Sequence, residues 1–211
     1  MYKCFFKRFL DIVISFFGVL GFLVVFIFVA PIIHFTDGGP VFYNAERRGK
    51  DGKVFKMYKF RSMKVNSPDL RNADGSTYNG ANDPRVTKIG KILRKTSLDE
   101  VPQVLNIFLG DMSIVGPRPV LPTKPLDPSD ADRMKRFSVR PGLTGYSQAY
   151  FRNSIDQDEK LKNDCYYVDH LTFMMDVKVI FVTAMSVLKR KNIYVEQGET
   201  HLAEKKEEVN K

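Results

Sequence analysis

The sequence is poor in the residues that build redox and metal centres. Its 211 residues include two cysteines, three histidines and no tryptophan. Cys4 and Cys165 stand far apart, in no metal or redox spacing. That excludes a disulfide scaffold and predicts free thiols, packing residues of a reducing compartment. His34, His170 and His201 are scattered and predict no metal or catalytic centre. There is no Walker loop, dinucleotide fingerprint, Cys/His zinc spacing or acyl-transfer triad, and no internal repeat. Acidic side chains are the minority: 24 Asp and Glu face 33 Lys and Arg, giving a net charge of +9 and a pI near 9.5. Such a surplus points to an anionic partner, whether nucleic acid, anionic lipid or a phosphorylated small molecule. With 44% hydrophobic and 27% charged residues, the chain is neither wholly disordered nor a many-span transporter. Its length suits one domain with an appendage.

The apolar residues are concentrated at the start. Residues 12–33 form a run of 22 without a charge, and 17 of them are Leu, Ile, Val or Phe. A bilayer core needs roughly 20 apolar residues as helix. Seventeen such residues contribute on the order of −5 to −10 kcal/mol to insertion, against at most about 3 kcal/mol opposing from Asp11 at the edge. A buried core helix is the competing reading, but so small a domain could not surround it on every side. The run is longer than the apolar region of a signal peptide and no small-x-small cleavage site follows, so a cleaved leader is not expected. Lys3, Lys7 and Arg8 precede the run, and Arg47, Arg48, Lys50, Lys53, Lys56, Lys59, Arg61 and Lys64 follow it. Both flanks are basic, and the positive-inside rule wants both in the cytoplasm. That favours a re-entrant helix over a spanning one, with Gly18, Gly21 and Pro31 as candidate bends.

Turn chemistry at residues 36–40 closes this element. Residues 41–43 and 54–58 read as short strands around a Gly-Lys-Asp-Gly turn at 49–52, a hairpin. Residues 66–82 are polar and read as a loop, and 88–95 as a short basic helix. Ser97-Leu98-Asp99-Glu100 fits a capping box, with Ser97 as N-cap and Glu100 at the third helical position. Leu98, Val101, Val104, Leu105, Phe108 and Leu109 follow at helical spacing, and Gly110 ends that helix. Residues 120–133 are proline-rich and read as irregular. Residues 156–191 carry a helical pattern in which Phe173, Met174 and Met175 suit either a membrane surface or a core. The tail after Gln197 is charged and reads as disordered. The expected class is α+β, mostly helical: a membrane-embedded helix at 1–36, a small cytoplasmic catalytic domain at 37–196 with a short β-hairpin and membrane-surface amphipathic helices, and a tail at 197–211.

The residues that suit chemistry are Asp99 and Glu100. Ionised carboxylates are favoured in the first turn of a helix. An ionised Asp can attack phosphorus to form an aspartyl-phosphate linkage, and a neighbouring carboxylate can help hold Mg²⁺ against a phosphate. Helix capping alone is the ordinary explanation of an arbitrary Asp-Glu pair. The cations around turn residues shift that balance: Lys59, Arg61, Arg85, Lys91, Arg94, Arg118 and Arg140. Arg on a Pro-flanked turn, as in Gly116-Pro117-Arg118-Pro119, suits bidentate phosphate recognition.

The chain resembles the bacterial sugar transferases, specifically the small monotopic polyprenyl-phosphate phosphoglycosyl transferases. The resemblance rests on motifs in order through nearly the whole chain. They begin with Lys7-Arg8 and Asp11, Gly39-Pro40-Val41-Phe42, Lys59-Phe60-Arg61-Ser62-Met63 and Asp83-Pro84-Arg85-Val86-Thr87. Leu93-Arg94-Lys95-Thr96-Ser97-Leu98-Asp99-Glu100-Val101-Pro102-Gln103 follows, then Gly110-Asp111-Met112-Ser113 and Gly116-Pro117-Arg118-Pro119. Arg140-Pro141-Gly142-Leu143-Thr144-Gly145 and Tyr166-Tyr167-Val168-Asp169-His170 complete the set. The family's Ser-Pro break in the membrane helix is replaced here by Leu23-Val24, and its Trp after the glycine turn by Tyr146.

The resemblance implies transfer of a sugar 1-phosphate from a UDP-sugar to undecaprenyl phosphate, with release of UMP, at the cytoplasmic face of the bacterial inner membrane. It implies Mg²⁺ held by Asp99 and Glu100, Asp99 as nucleophile and Glu100 as its assistant in metal binding or proton transfer. Lys59, Arg61, Arg85, Arg94, Arg118 and Arg140 are the candidate phosphate and nucleotide ligands. The implied partners are the donor, the lipid acceptor and the bilayer, with no nucleic acid. Two rival readings leave the Asp-Glu pair idle: a membrane-tethered protein that binds anionic lipid or nucleic acid, and an envelope scaffold without catalysis.

Overall fold

The computed structural model describes residues 2–70, 78, 80, 82–123, 125–151 and 154–188. The Cys4 side chain, part of the polar loop and the charged tail lie outside the described residues.

Helix α1 (Lys7–Asp37) follows a wide π-type turn at Tyr2–Phe6. Its 31 residues make a rod of about 46 Å. It continues through Gly18, Gly21 and Pro31 and ends where Gly38 takes φ +68° and donates its N–H to His34 O at 2.9 Å. It is long and apolar enough to cross a membrane by length and composition. Only one stripe of it is buried: Asp11, Ser15, Phe22, Val29 with the adjacent Ala30, and Ile33, recurring every three to seven residues along one face. Phe9, Phe17, Ile27 and Phe28 on other faces are more than half exposed.

The buried stripe lies against the rest of the chain from end to end. Arg8 donates to Ile107 O at 2.6 Å and Phe108 O at 3.0 Å. Asp11 Oδ1 accepts from Ser113 Oγ and Ile114 N, both at 3.0 Å. Gly18 passes so close to Val104 that a Cβ there would sit 3.3 Å from its methyl. At the far end Arg61 donates to Ile33 O at 3.4 Å. Helix α1 therefore shares a core with the chain that follows: Phe22, Val29 and Ile33 pack with Phe60 and Leu93.

The expected hairpin is present. Strands β1 (Ala45–Arg48) and β2 (Val54–Met57) pair antiparallel with Arg48 opposite Val54. Asp51 and Gly52 supply the positive φ of the turn. The first strand begins later than the sequence suggested. Residues 41–43 extend the pairing only as a bridge between Phe42 and Phe60, with Tyr43 N to Lys59 O at 2.8 Å and Arg61 N to Val41 O at 2.9 Å.

Helix α2 (Lys88–Thr96) is capped by Thr87, whose Oγ1 accepts from Gly90 N at 2.9 Å. Helix α3 (Gln103–Leu109) ends at Gly110, φ +101°. Three-residue strands β3 (Ser113–Val115) and β4 (Gly142–Thr144) pair in parallel, a second sheet that no sequence pattern had marked. Between them α4 (Ala131–Phe137) starts within the stretch read as irregular, because the Asp130 side chain caps it at Arg133 N. Helix α5 (Tyr146–Tyr150) follows β4. The long helical pattern divides at His170 into α6 (Gln157–Asp169) and α7 (Phe173–Leu188). Val115, Ala149, Tyr167, Leu171 and Val179 form their core. On α7, Phe173 and Met174 are exposed, whereas Met175 packs against that core. Asp176 on α7 is buried and takes three donors at 2.6 Å: Tyr2 Oη, Lys7 Nζ and Tyr167 Oη. The N-terminal turn is thereby fastened to the C-terminal helix.

Candidate active site

Asp99 and Glu100 lie in the connection between α2 and α3, where the structure corrects the expected capping box. Ser97 ends α2 in the left-handed region, φ +59°, and its side chain caps nothing. Residues Leu98–Glu100 form a tight 3₁₀ turn, and α3 begins only at Gln103. Pro102 has no N–H to continue an α-helical ladder, so the chain closes with shorter bonds: Glu100 N to Ser97 O and Val101 N to Leu98 O, both at 3.2 Å. The amide of Glu100 is thus spent on the turn itself. What holds the two carboxylates is side-chain charge rather than a helix terminus.

Lys59 supplies that charge first. Its Nζ is 2.7 Å from Asp99 Oδ2 and 3.4 Å from Glu100 Oε1. It stands there because Phe60 N donates to Asp99 O at 2.9 Å, which pins the chain leaving β2 to the turn. Arg118 follows, with a guanidinium N 2.7 Å from Glu100 Oε1. Arg118 is placed in turn by Arg136, which donates to its carbonyl at 3.0 Å while pairing with the buried Asp164 at 3.0 Å. Asp99 is almost wholly buried, its side chain 4% exposed, whereas those of Glu100 and Lys59 are 23% and 22% exposed. Burial alone pushes the Glu100 carboxyl up, but Arg118 and Lys59 outweigh it and hold the group well below the usual carboxylate range. The arrangement is an alternating chain: Asp99, Lys59, Glu100, Arg118.

The other candidate cations lie elsewhere. Arg61 is buried and turned toward α1, donating to the carbonyls of Pro40 and Ile33. Arg85 is buried against Asp83, with Oδ2 2.6 Å from its guanidinium, and donates to Pro68 O at 2.9 Å and Tyr78 O at 3.2 Å. Those hydrogen bonds join Pro68 and Tyr78 to the Asp83–Arg85 turn. Arg94 donates to Ser62 Oγ at 3.0 Å; burial pushes the nearby Asp83 carboxyl up, but Arg85 outweighs it and lowers the group, with Arg94 adding a smaller share. Arg140 donates to Gly110 O at 2.8 Å and shares its neighbourhood with Arg8. Lys59 and Arg118 are the two candidates that touch the carboxylate pair among the described residues.

Two polar residues of α3 went unremarked in the sequence. Asn106, 0% exposed, accepts from Tyr58 N at 2.9 Å and donates to Lys56 O at 2.8 Å, clamping β2 to the helix. Gln103, one turn earlier on the same helix, is 1% exposed and its Nε2 has no hydrogen-bond partner among the described residues. Asn106 joins α3 to Tyr58, and Asp99 joins the preceding turn to Phe60, so Gln103 lies between those two anchors. The signal was available: two amides three residues apart on an otherwise apolar helix mark a buried polar face.

Residues 2–190 match the family model described as bacterial sugar transferase. The chain is 41% identical to galactosyl transferase CpsE of Streptococcus agalactiae serotype III, over 86% of this chain and 42% of that one. It is 37% identical to undecaprenyl-phosphate galactose phosphotransferase of Salmonella typhimurium, over 90% of this chain and 42% of the relative. It thus spans less than half the length of those two proteins. With exopolysaccharide production protein ExoY of Rhizobium meliloti the likeness is 36%, covering 89% of this chain and 88% of ExoY. Matched over residues 2–190 by the family model and over nearly nine-tenths of both chains with ExoY, the chain belongs to the bacterial sugar transferases.

Proposed function

We propose that this protein transfers a sugar 1-phosphate from a UDP-sugar to undecaprenyl phosphate, releasing UMP, as the first membrane step of bacterial surface-glycan assembly. The observation that carries the reading is the Asp99–Lys59–Glu100–Arg118 chain, in which cations from the β2 exit and the Pro-flanked turn converge on the two carboxylates of the Leu98–Glu100 turn. An Asp99 oxygen attacks the β-phosphorus of the donor. A new O–P bond forms, the P–O bond to the bridging oxygen breaks, and UMP leaves with the electron pair. An oxygen of the lipid phosphate then attacks the same phosphorus, the Asp99–P bond breaks, and the carboxylate is restored.

Lys59 and Arg118 serve this sequence by exchanging partners. Held on carboxylates at rest, they turn to the diphosphate as it enters, which unblocks Asp99 and neutralises charge on the phosphoryl oxygens. Glu100, kept ionised by its cations, holds Arg118 at the site until the diphosphate enters. Mg²⁺ fits this donor set: it is commonly held by one or two carboxylates together with substrate phosphates and water. The ion pairs engage Asp99 Oδ2 and Glu100 Oε1. No group of three or more potential protein ligands occurs among the described residues, so substrate phosphate and water would complete the shell. When bound, the ion supplies further charge neutralisation at the phosphates. In this reading residues 37–196 are the catalytic domain.

The same proposal places α1 in the cytoplasmic leaflet of the inner membrane. Its outward apolar face supports insertion. Its attachments support both ends lying on one side, since Arg8 near its start and Ile33 near its end bond to the same domain. A rod of about 46 Å standing across a core of about 30 Å would drag that domain through the bilayer.

The test uses a donor labelled at its β-phosphate, beginning with UDP-galactose because two relatives carry galactose in their names. Without lipid, the label should stay on the wild-type protein and be absent from Asp99→Asn, while both remain in the membrane fraction. UMP release with no trapped adduct would replace the covalent step by direct displacement. No UMP release from any donor in a broad panel, with acceptor and Mg²⁺ present, would refute the transfer reading.

A further inference from the structure

Asp164 is a buried carboxylate that the transfer scheme leaves unused. It lies on α6, and the cation facing its Oδ2 is Arg136 of α4, 3.0 Å away, with side chains 4% and 13% exposed. Ser147 of α5 donates to its other oxygen at 3.2 Å. An ion pair buried in this way adds little net stability, because taking both charges from water costs about as much as their attraction returns. Its geometry shows a different use. The guanidinium nitrogen of Arg136 that faces Asp164 is the one that donates to Arg118 O at 3.0 Å. Asp164 holds that nitrogen by charge, and the nitrogen's hydrogen bond goes to Arg118.

Arg118 depends on such an anchor. Its side chain is 46% exposed, so packing does not fix where the guanidinium stands, and its backbone does. That backbone is held at three successive residues. Gly116 N donates to Thr144 O and Gly142 N donates to Pro117 O, both at 2.9 Å, and Arg136 takes the Arg118 carbonyl. Proline on either side narrows the remaining freedom, since Pro117 fixes its own φ and Pro119 restricts the residue before it. The first two anchors are main chain of β4. The third runs through side chains, from α6 by way of α4 to the residue whose guanidinium meets Glu100 at 2.7 Å.

We propose that Arg136 and Asp164 are positioning residues of the donor half-reaction: Asp164 sets Arg136 by charge, Arg136 sets the Arg118 main chain, and Arg118 meets the diphosphate. The assignment rests on the transfer reading. Neither residue touches substrate. Their effect falls on the departure of UMP, because the diphosphate that Arg118 neutralises is gone before the lipid attacks.

The experiment is steady-state kinetics of the full chain in nanodiscs, varying undecaprenyl phosphate and UDP-galactose, or whichever donor of the panel releases UMP. In a double displacement, kcat/KM for each substrate reports its own half-reaction. Arg136→Lys keeps the charge that faces Asp164 but loses the planar fork. It should lower kcat/KM for the donor at least tenfold and leave kcat/KM for the acceptor within twofold. Arg118→Lys should show the same split. Arg136→Met combined with Asp164→Leu removes both charges and strands neither, so it should split likewise, and it decides the matter if Arg136→Lys fails to fold. Lys135→Met breaks the exposed pair with Asp169 on the same two helices and should leave both constants unchanged. A merely structural role lowers both constants by one factor, through the share of enzyme that is folded. An equal fall in both, no fall in either, or the split appearing in Lys135→Met overturns the proposal. Wild type that releases no UMP refutes the transfer reading itself, whereas wild-type turnover with an equal fall in the variants refutes this assignment alone.

Discussion

Replacing Lys59 with methionine tests whether the carboxylate pair is held by charge. Asp99 Oδ2 lies 2.7 Å from Lys59 Nζ, and the Asp99 side chain is 4% exposed. Removing one partner of a buried ion pair costs about 3–5 kcal/mol, because the other charge is left without water or counter-ion. Lys59 is about one-fifth exposed, so the lower end, about 3 kcal/mol, is expected. Arg118 cannot substitute, since its contact is with Glu100. For a domain of this size that loss lowers the unfolding midpoint by about 6–12 °C. The assay is thermal unfolding in detergent of wild type, Lys59→Met, Asp99→Asn and the double variant. Asp99→Asn removes the charge that Lys59→Met strands, so the double variant should recover about 2 kcal/mol of the summed losses. A Lys59→Met midpoint indistinguishable from wild type, or strictly additive losses, would refute an electrostatic clamp.

Glu100 makes a pH prediction. Its carboxyl is depressed in the folded chain by Arg118 and Lys59, against the opposing effect of burial. The stability it contributes is therefore complete above its unfolded pKa of about 4.3 and is lost as the pH falls below that toward the folded value. Unfolding measured from neutral to acid pH should lose slope below that point in Glu100→Gln; an unchanged slope would exclude Glu100 as a source. Asn106→Ala should destabilise by about 2–4 kcal/mol, because Tyr58 N and Lys56 O both lose their buried partner, read by denaturant unfolding. Gly90→Ala should cost about 1–3 kcal/mol, since a Cβ there would run into the Ser62 carbonyl, and should loosen the Arg94–Ser62 bond.

Elements with a local signature were legible in the sequence. The Gly-Lys-Asp-Gly turn gave the hairpin, and the basic stretch at 88–95 is α2 with one residue added. Gly110 and Gly38 stop their helices as expected. The parallel pair β3–β4 was not legible. Each strand has three residues, too few to show a period, and their partners lie 29 residues apart in sequence. Ser97 misled because Ser-x-x-Glu describes a capping box only when the Ser is extended, and here the end of α2 forces it into the left-handed region. For the arginines, sequence reports charge but not partner. Arg85 looked available for phosphate, but Asp83, two residues away on the same turn, claims it. Lys59 and Arg118 differ because the hairpin exit and the Pro-flanked turn both converge on Asp99 and Glu100. That convergence is long-range, over 18 to 41 residues, and appears only once the chain is folded.

The buried stripe of α1 makes the apolar helix part of the domain's own structure, and a chain beginning at Gly38 tests this. Without α1, Phe60 and Leu93, now 0% and 1% exposed, lose their cover. Each fully buried side chain of that kind contributes about 1.5–3 kcal/mol, so these two alone forfeit about 3–6 kcal/mol. Val104, Val101 and Phe42 pack against the same cluster and add partial losses. Ser113 Oγ and Ile114 N lose their acceptor on Asp11, and Asp176 loses Tyr2 and Lys7. The total meets or exceeds the 5–15 kcal/mol that an ordinary domain has to lose. The shortened chain should therefore show no cooperative unfolding transition and should be cut by protease across residues 40–190 at rates typical of unfolded protein. A cooperative transition at the full-length midpoint would mean that α1 is a detachable anchor. The packing of Phe22, Val29 and Ile33 on Phe60 says instead that the helix whose outer face is exposed and apolar positions the Asp99 turn with its inner one.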